Sequence, residues 1–174
     1  MKTSVMVFHP NLDKSLANKA LMRAAQASGD DVTVRDMYAL YPDFHVDVAA
    51  EQQLTEANDR IVLQFPLYWY SSPALLKQWE DDVLTMGWAY AGTHQLEGKH
   101  LMVAVTTGGS EETYQFEGRQ GVTMDQFLLP FKSMAHRVGM VYEDPFIVHS
   151  ATPKTLDEQH LREVMTAYNE RLKH

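Results

Sequence analysis

Three short segments carry residue types from which a site for a flat, phosphorylated ligand can be built: HPNLDKSLAN (9–18), PLYWY (66–70) and TTGG (106–109). In the first, Ser15 stands where a helix begins. Its hydroxyl and the N–H groups of Leu16, Ala17 and Asn18 form a helix terminus of the kind that attracts phosphate. Ser15 reads equally well as an ordinary helix cap. In the third segment, Thr106 and Thr107 lead into Gly108 and Gly109 after an apolar run. Two adjacent glycines let the backbone approach a ring closely, and their amides then face any negative charge that develops on it.

The middle segment places Tyr68, Trp69 and Tyr70 in succession after Pro66 and Leu67. Neither a helix nor a strand can bury three consecutive side chains on one face, so at least one points out of a loop. These aromatics either wall a ligand or cover the sheet edge. A phosphate pocket, a flat slot and neighbouring aromatics together describe a flavin mononucleotide site.

Other chemistries find less support. There is no G-x-G-x-x-G, no GK[ST] phosphate loop, no G-x-S-x-G elbow and no H-E-x-x-H. The eight histidines are scattered, so no metal site is expected, and His94, His100, His149 and His174 read as surface or half-buried residues. With no cysteine there is neither a thiolate nucleophile nor a disulfide framework, which suits a cytoplasmic protein. The net charge of −8 argues against nucleic acid, because phosphate backbones are held by clustered Lys and Arg. No apolar run approaches a membrane span, and no secretory leader precedes the first strand.

The 174 residues, 45% of them hydrophobic, fit one domain. Strands are expected at Thr3–Phe8, Asp31–Asp36, Ile61–Phe65 and His100–Val105, with a fifth over Met140–Val148 that Pro145 makes bent or peripheral. Helices are expected from Ser15 to about Ser28, from Asp47 to about Ala57, from Pro73 behind a Ser71 or Ser72 cap, over Met124–Val138, and from Thr155 or Asp157 to the end. MYALYPDF (37–44) reads as an aromatic connection, and Ser110–Val122 as a polar loop. Such alternation predicts a three-layer α/β domain with a five-stranded parallel sheet and helices on both faces. Its natural strand order is 2-1-3-4-5, which brings the loops after strands one, three and four to one crevice.

At these same loops the chain resembles a known family. HPNLDKSLANK, YPDF, FPLYWYSSPALLKQW, GWAYAG and LEGKHLMVAVTTGGS are similar to segments of the NAD(P)H:quinone oxidoreductases of flavodoxin-like fold. The likeness is greatest to short bacterial members, including ancillary flavoproteins of glutathione-gated potassium efflux systems. It is specific as far as Tyr114 and much weaker beyond Gln115.

The resemblance implies FMN, with FAD as the alternative, NAD(P)H as co-substrate, a quinone acceptor and a homodimer. It implies that His9 and Ser15–Asn18 hold the flavin phosphate and ribityl chain, that Pro66–Tyr70 run along the isoalloxazine edge, and that Thr106–Gly109 meet its pyrimidine side. It places Tyr114 beside the flavin as an aid to hydride transfer, while Gln120 stands where longer animal members carry a histidine. Docking to a potassium efflux transporter, at the inner face of the membrane, is the other role it suggests. Trp88 and Tyr90, read as exposed, suit the dimer.

Overall fold

A computed structural model describes residues 1–174. Six parallel strands form one sheet: β1 Thr3–Val7, β2 Val32–Asp36, β3 Arg60–Pro66, β4 His100–Thr106, β5 Val141–Tyr142 and β6 Phe146–Val148. Their order is β2-β1-β3-β4-β5, with β6 also on β4. β5 and β6 are one expected strand divided. Val141 and Tyr142 pair with His100 and Leu101, and Phe146–Val148 pair with Ala104–Thr106. Between them lies Pro145, which has no N–H to give the ladder.

Seven helices flank the sheet: α1 Leu16–Gln26, α2 Met37–Leu40, α3 Val48–Ala57, α4 Ala74–Val83, α5 Met124–Phe127, α6 Leu129–Arg137 and α7 Glu158–Lys173. The central strands are buried on both faces, so they read as continuous apolar runs. Val5, Val7, Val62, Met102 and Ala104 pack towards Leu21 and Ala24 of α1 and Tyr168 and Leu172 of α7. Met6, Ile61, Leu63, Phe65, Val103 and Val105 pack on the other side, with Leu75, Leu76, Trp79 and Val83 of α4 and Phe131 of α6.

Three local expectations differ. MYALYPDF begins with α2, capped by Asp36, whose carboxylate accepts from Ala39 N–H. Neither Ser71 nor Ser72 caps α4; Pro73 is the N-cap residue, and the Tyr38 hydroxyl accepts the Leu75 N–H at 3.3 Å instead. The Met124–Val138 helix breaks at Leu128, because Pro130 cannot donate to the turn before it.

Two buried charges tie the layers together. Glu51 is fully buried and accepts from Arg35 Nη1 (2.7 Å) and Nη2 (2.6 Å), from the Tyr41 hydroxyl (2.5 Å) and from Trp79 Nε1 (2.9 Å). These four interactions join α3 to β2, to the end of α2 and to α4, and satisfy a charge that burial alone would penalise by several kcal/mol. Arg60, 1% exposed, donates from Nε to Thr3 Oγ1 and from its guanidinium to the carbonyls of Arg171 and Leu172, holding the end of α7 against the sheet. No helix is long and apolar enough to cross a membrane.

Candidate functional site

The carboxyl ends of β1, β3 and β4 open into a cleft of about 240 Å³. His9, Ser15, Leu16, Ala17, Asn18, Pro66, Leu67, Tyr68, Thr106, Thr107 and Gly108 line it, as do Lys14, Ala151 and Pro153. The remaining candidates do not reach its wall. Trp69 and Tyr70 stand on a hairpin at its mouth, Gly109 lies behind Gly108, and Tyr114 sits one hydrogen bond deeper.

The first wall is the start of α1. Ser15 Oγ accepts from the Asn18 N–H (3.1 Å), so that amide is taken, and Leu16 and Ala17 carry the first-turn donors without intrahelical partners. Lys14 adds the cation that a helix terminus alone lacks. The Asn18 side chain is not free for a ligand either. Its Nδ2 donates to Thr106 Oγ1 (2.8 Å), while Gln64 Nε2 donates to the Asn18 carbonyl (2.9 Å) and the Tyr168 hydroxyl to Gln64 Oε1 (3.4 Å). This buried polar file joins α7, β3, α1 and β4 under the cleft floor and fixes where α1 begins. Burial pushes the Tyr168 phenol up, so it stays a donor at every working pH.

His9 ends β1. Asn11 N–H donates to its Nδ1 (3.0 Å), which puts the ring proton on Nε2, and burial holds the imidazole below its ordinary range despite Asp36. Its ring meets Tyr68 edge-on at 6.2 Å.

Beyond Pro66 the chain makes a two-residue hairpin. Tyr68 and Ser71 exchange backbone bonds of 2.9 and 3.0 Å, with Trp69 at φ 47° and Tyr70 at φ 65°. Positive φ at both central residues is the type I′ requirement, which Asn-Gly usually meets. Two bulky aromatics in that region store strain. Trp69 is 93% exposed, whereas Tyr70 stacks on Phe127 of α5 at 5.1 Å and 22°.

The Thr106–Gly109 loop offers fewer amides than two free glycines would. Thr107 N–H is bound to the Val148 carbonyl (2.9 Å) and Gly109 N–H leans on Thr107 Oγ1 (3.4 Å), which leaves Gly108 N–H unclaimed. A Cβ on Gly108 would meet nothing nearer than Thr152 Cγ2 at 3.5 Å, so protein packing does not demand glycine there. A Cβ on Gly109 would come within 2.8 Å of Tyr114 Cε2, so packing does demand it there. Tyr114 is 6% exposed and bonded through its hydroxyl to Thr107 Oγ1 (2.5 Å). Gln120 donates its N–H to the Thr113 carbonyl (3.2 Å), a loop contact.

The family model described as flavodoxin-like fold, Flavodoxin_2, matches residues 1–172. The chain belongs to this family. Among flavodoxin-like relatives, the Uncharacterized NAD(P)H oxidoreductase YrkL of Bacillus subtilis is 50% identical over 147 residues, covering 84% of each chain. The glutathione-regulated potassium-efflux system ancillary protein KefG of Yersinia pestis is 42% identical over 159 residues, 89% of this chain and 87% of KefG. General stress protein 14 of Treponema denticola, solved in complex with FMN, superposes with a TM-score of 0.88 at 37% identity, covering 99% of this chain and 96% of that one. An NADPH-quinone reductase from P. pentosaceus gives 0.89 at 33%, covering 98% and 97%. A chain described as a thermophilic tryptophan halogenase from Streptomycin violaceusniger gives 0.93 at 43%, covering 98% of each.

Sequence reasoning missed the last wall. Ala151 and Pro153 come from the β6–α7 loop, which is fastened to the Thr106–Gly109 loop by Ser150 N–H to Gly109 O and Ala151 N–H to Thr107 O, both 2.8 Å. Nothing local announces this, because the contact spans some forty residues of chain. Lys14 was missed as well, although a cation beside a helix start is a local signal that could have found it. Trp88 and Tyr90 are half-buried rather than exposed. Trp88 Nε1 donates to Glu56, and Arg137 sits 4.6 Å over the Tyr90 ring.

Proposed function

We propose that this chain is an FMN-dependent NAD(P)H:quinone oxidoreductase. The observation that carries the reading is the convergence, on one cleft, of a helix terminus with its lysine, an open glycine edge and an aromatic hairpin. The pieces fit a flavin in kind. The Leu16 and Ala17 amides with Lys14 suit its phosphate, and the Gly108 amide and the Pro66–Tyr70 hairpin suit opposite edges of a flat ring. The FMN complex of general stress protein 14 and the names of YrkL and the P. pentosaceus reductase support this choice.

When bound, FMN would supply the hydride chemistry of a ping-pong exchange between NAD(P)H and a quinone. The chain's own work is positional and electrostatic. The polar file through Gln64 and Asn18 holds α1 at the phosphate end. Gly108 N–H and the Thr107 hydroxyl would be the donors offered to negative charge developing on the ring. Tyr114 acts on the cleft through Thr107 rather than by touching it.

Purified protein should be yellow, hold roughly one flavin per chain, and consume NADPH steadily only when a soluble quinone is present. A colourless protein that takes up neither FMN nor FAD overturns the reading. The likeness to KefG supports a second role, as an ancillary subunit of a glutathione-gated potassium efflux transporter. Capture by that transporter in detergent distinguishes it, and quinone turnover does not.

A further inference from the structure

His149 is the one histidine whose ring the fold places against the Tyr114 side chain. It follows β6 and is held by the same backbone bonds that fasten its loop to the Thr106–Gly109 segment. Its ring centroid lies 5.7 Å from that of Tyr114, the planes 36° apart, and its Nδ1 is buried without a hydrogen-bond partner. On the other side Phe127 meets Tyr114 edge-on at 6.1 Å. The phenol is therefore clamped between two rings with its hydroxyl aimed at Thr107.

Counting donors fixes the direction of that bond. Tyr114 is 6% exposed and has no other hydrogen-bond partner, so its proton goes to Thr107 Oγ1. The Gly109 N–H approaches the same oxygen. A hydroxyl has two lone pairs and one proton, so Thr107, with both lone pairs engaged, keeps its own proton for the cleft that it lines.

We propose that His149 is a positioning residue for this cleft: seated on the Tyr114 ring, it sets how strongly Tyr114 donates to Thr107, and so how strongly Thr107 donates into the site. The inference rests on the flavin reading above. A protonated imidazole at this distance lies within reach of a cation–π contact and withdraws electron density from the phenol, making it the better donor. The groups facing the ring are Tyr114, the Gly109 carbonyl, and Glu111 and Glu112 of the neighbouring turn. Burial keeps the imidazole below its ordinary range, while those two carboxylates and that carbonyl favour its proton. The residue is thus neutral in mild base and charges as the solution turns acid.

The test separates charge from packing with His149→Phe, which keeps a ring against Tyr114. In flavin-free protein labelled with [13Cζ]tyrosine, the Tyr114 signal, identified by its loss in Tyr114→Phe, should shift as pH falls from about 8 to about 5, the window in which an imidazole charges. The shift should vanish in His149→Phe. In flavin-loaded protein, the rate of flavin reduction by NADPH should be equal in the two at about pH 8. Towards acid, wild type should gain about two- to fivefold over the variant, the scale of a cation–π contact, with FMN affinity unchanged. His9 titrates in both proteins and cancels from the ratio. A flat Tyr114 signal in wild type, or a rate ratio that does not change with pH, overturns the inference. Failure to take up FMN is a failure of the function reading instead, and the Tyr114 signal still decides the coupling.

Discussion

The hairpin at the mouth of the cleft gives the sharpest quantitative prediction. Trp69 has φ 47° and is 93% exposed, so the folded chain carries the strain of a left-handed tryptophan and gains almost no burial from it. A non-glycine residue in that region costs roughly 1–2 kcal/mol, and asparagine, whose short side chain tolerates the conformation, costs less. Trp69→Asn should therefore stabilise the flavin-free protein by about 1 kcal/mol, which for a domain of this size raises Tm by about 2–4 °C. Tyr70→Gly relieves the same strain at φ 65° but removes the 5.1 Å stack on Phe127. That stack is worth roughly 0.5–1.5 kcal/mol, and glycine adds chain entropy to be lost, so this variant should be neutral or slightly destabilised. Far-UV circular dichroism of guanidinium melts, without flavin and at two protein concentrations, measures both. A Trp69→Asn midpoint unchanged or lowered at both concentrations would refute the strain argument. A loss seen only at the higher concentration would instead show that a second copy covers Trp69. Turnover of the flavin-loaded Trp69→Asn protein should fall, since the strain is retained at a site where the side chain does nothing for folding.

Three further outcomes follow from packing and charge. Gly109→Ala should dislodge Tyr114, whose ring a new Cβ would meet at 2.8 Å, and lower stability by roughly 1–3 kcal/mol as overpacking does. Gly108→Ala, facing only Thr152 at 3.5 Å, should fold like wild type, with any loss confined to flavin affinity in a binding titration. Burial pushes the Glu80 carboxyl up to about 7, with its side chain 14% exposed and Lys77 only 3.9 Å away. A folded value raised above the unfolded one means that Glu80 favours folding below its ordinary value of 4.5 and loses that contribution as pH rises through about 7. Glu80→Gln should thus be the more stable protein at alkaline pH, by no more than about 3 kcal/mol, and show no advantage below about pH 4.5; equal gains at both pH values would refute the assignment.

The alternation of buried strands and amphipathic helices was legible because each is a local pattern: apolar runs at Val5–Val7, Ile61–Phe65 and Leu101–Val105, and the Leu75, Leu76, Trp79, Val83 stripe. With parallel strands and right-handed crossovers, the order β2-β1-β3-β4-β5 was nearly forced. The three loops could likewise be found, since Ser15, the Tyr-Trp-Tyr run and the glycine pair are distinctive in type and adjacent to strand ends.

Which of their groups remain free is a tertiary matter. Asn18 is spent on Thr106, Thr107 N–H on Val148, and Ser71 on the Tyr68 backbone, because each donor or acceptor meets a partner far along the chain or across a turn that strand pairing creates. Lone motif residues cannot reveal that they are already satisfied. Nor can sequence place His149 beside Tyr114, thirty-five positions earlier: only the pairing of β6 with β4 carries that loop to the cleft. The residue types came from the chain, and the hydrogen-bond arithmetic that decides their use came from the fold.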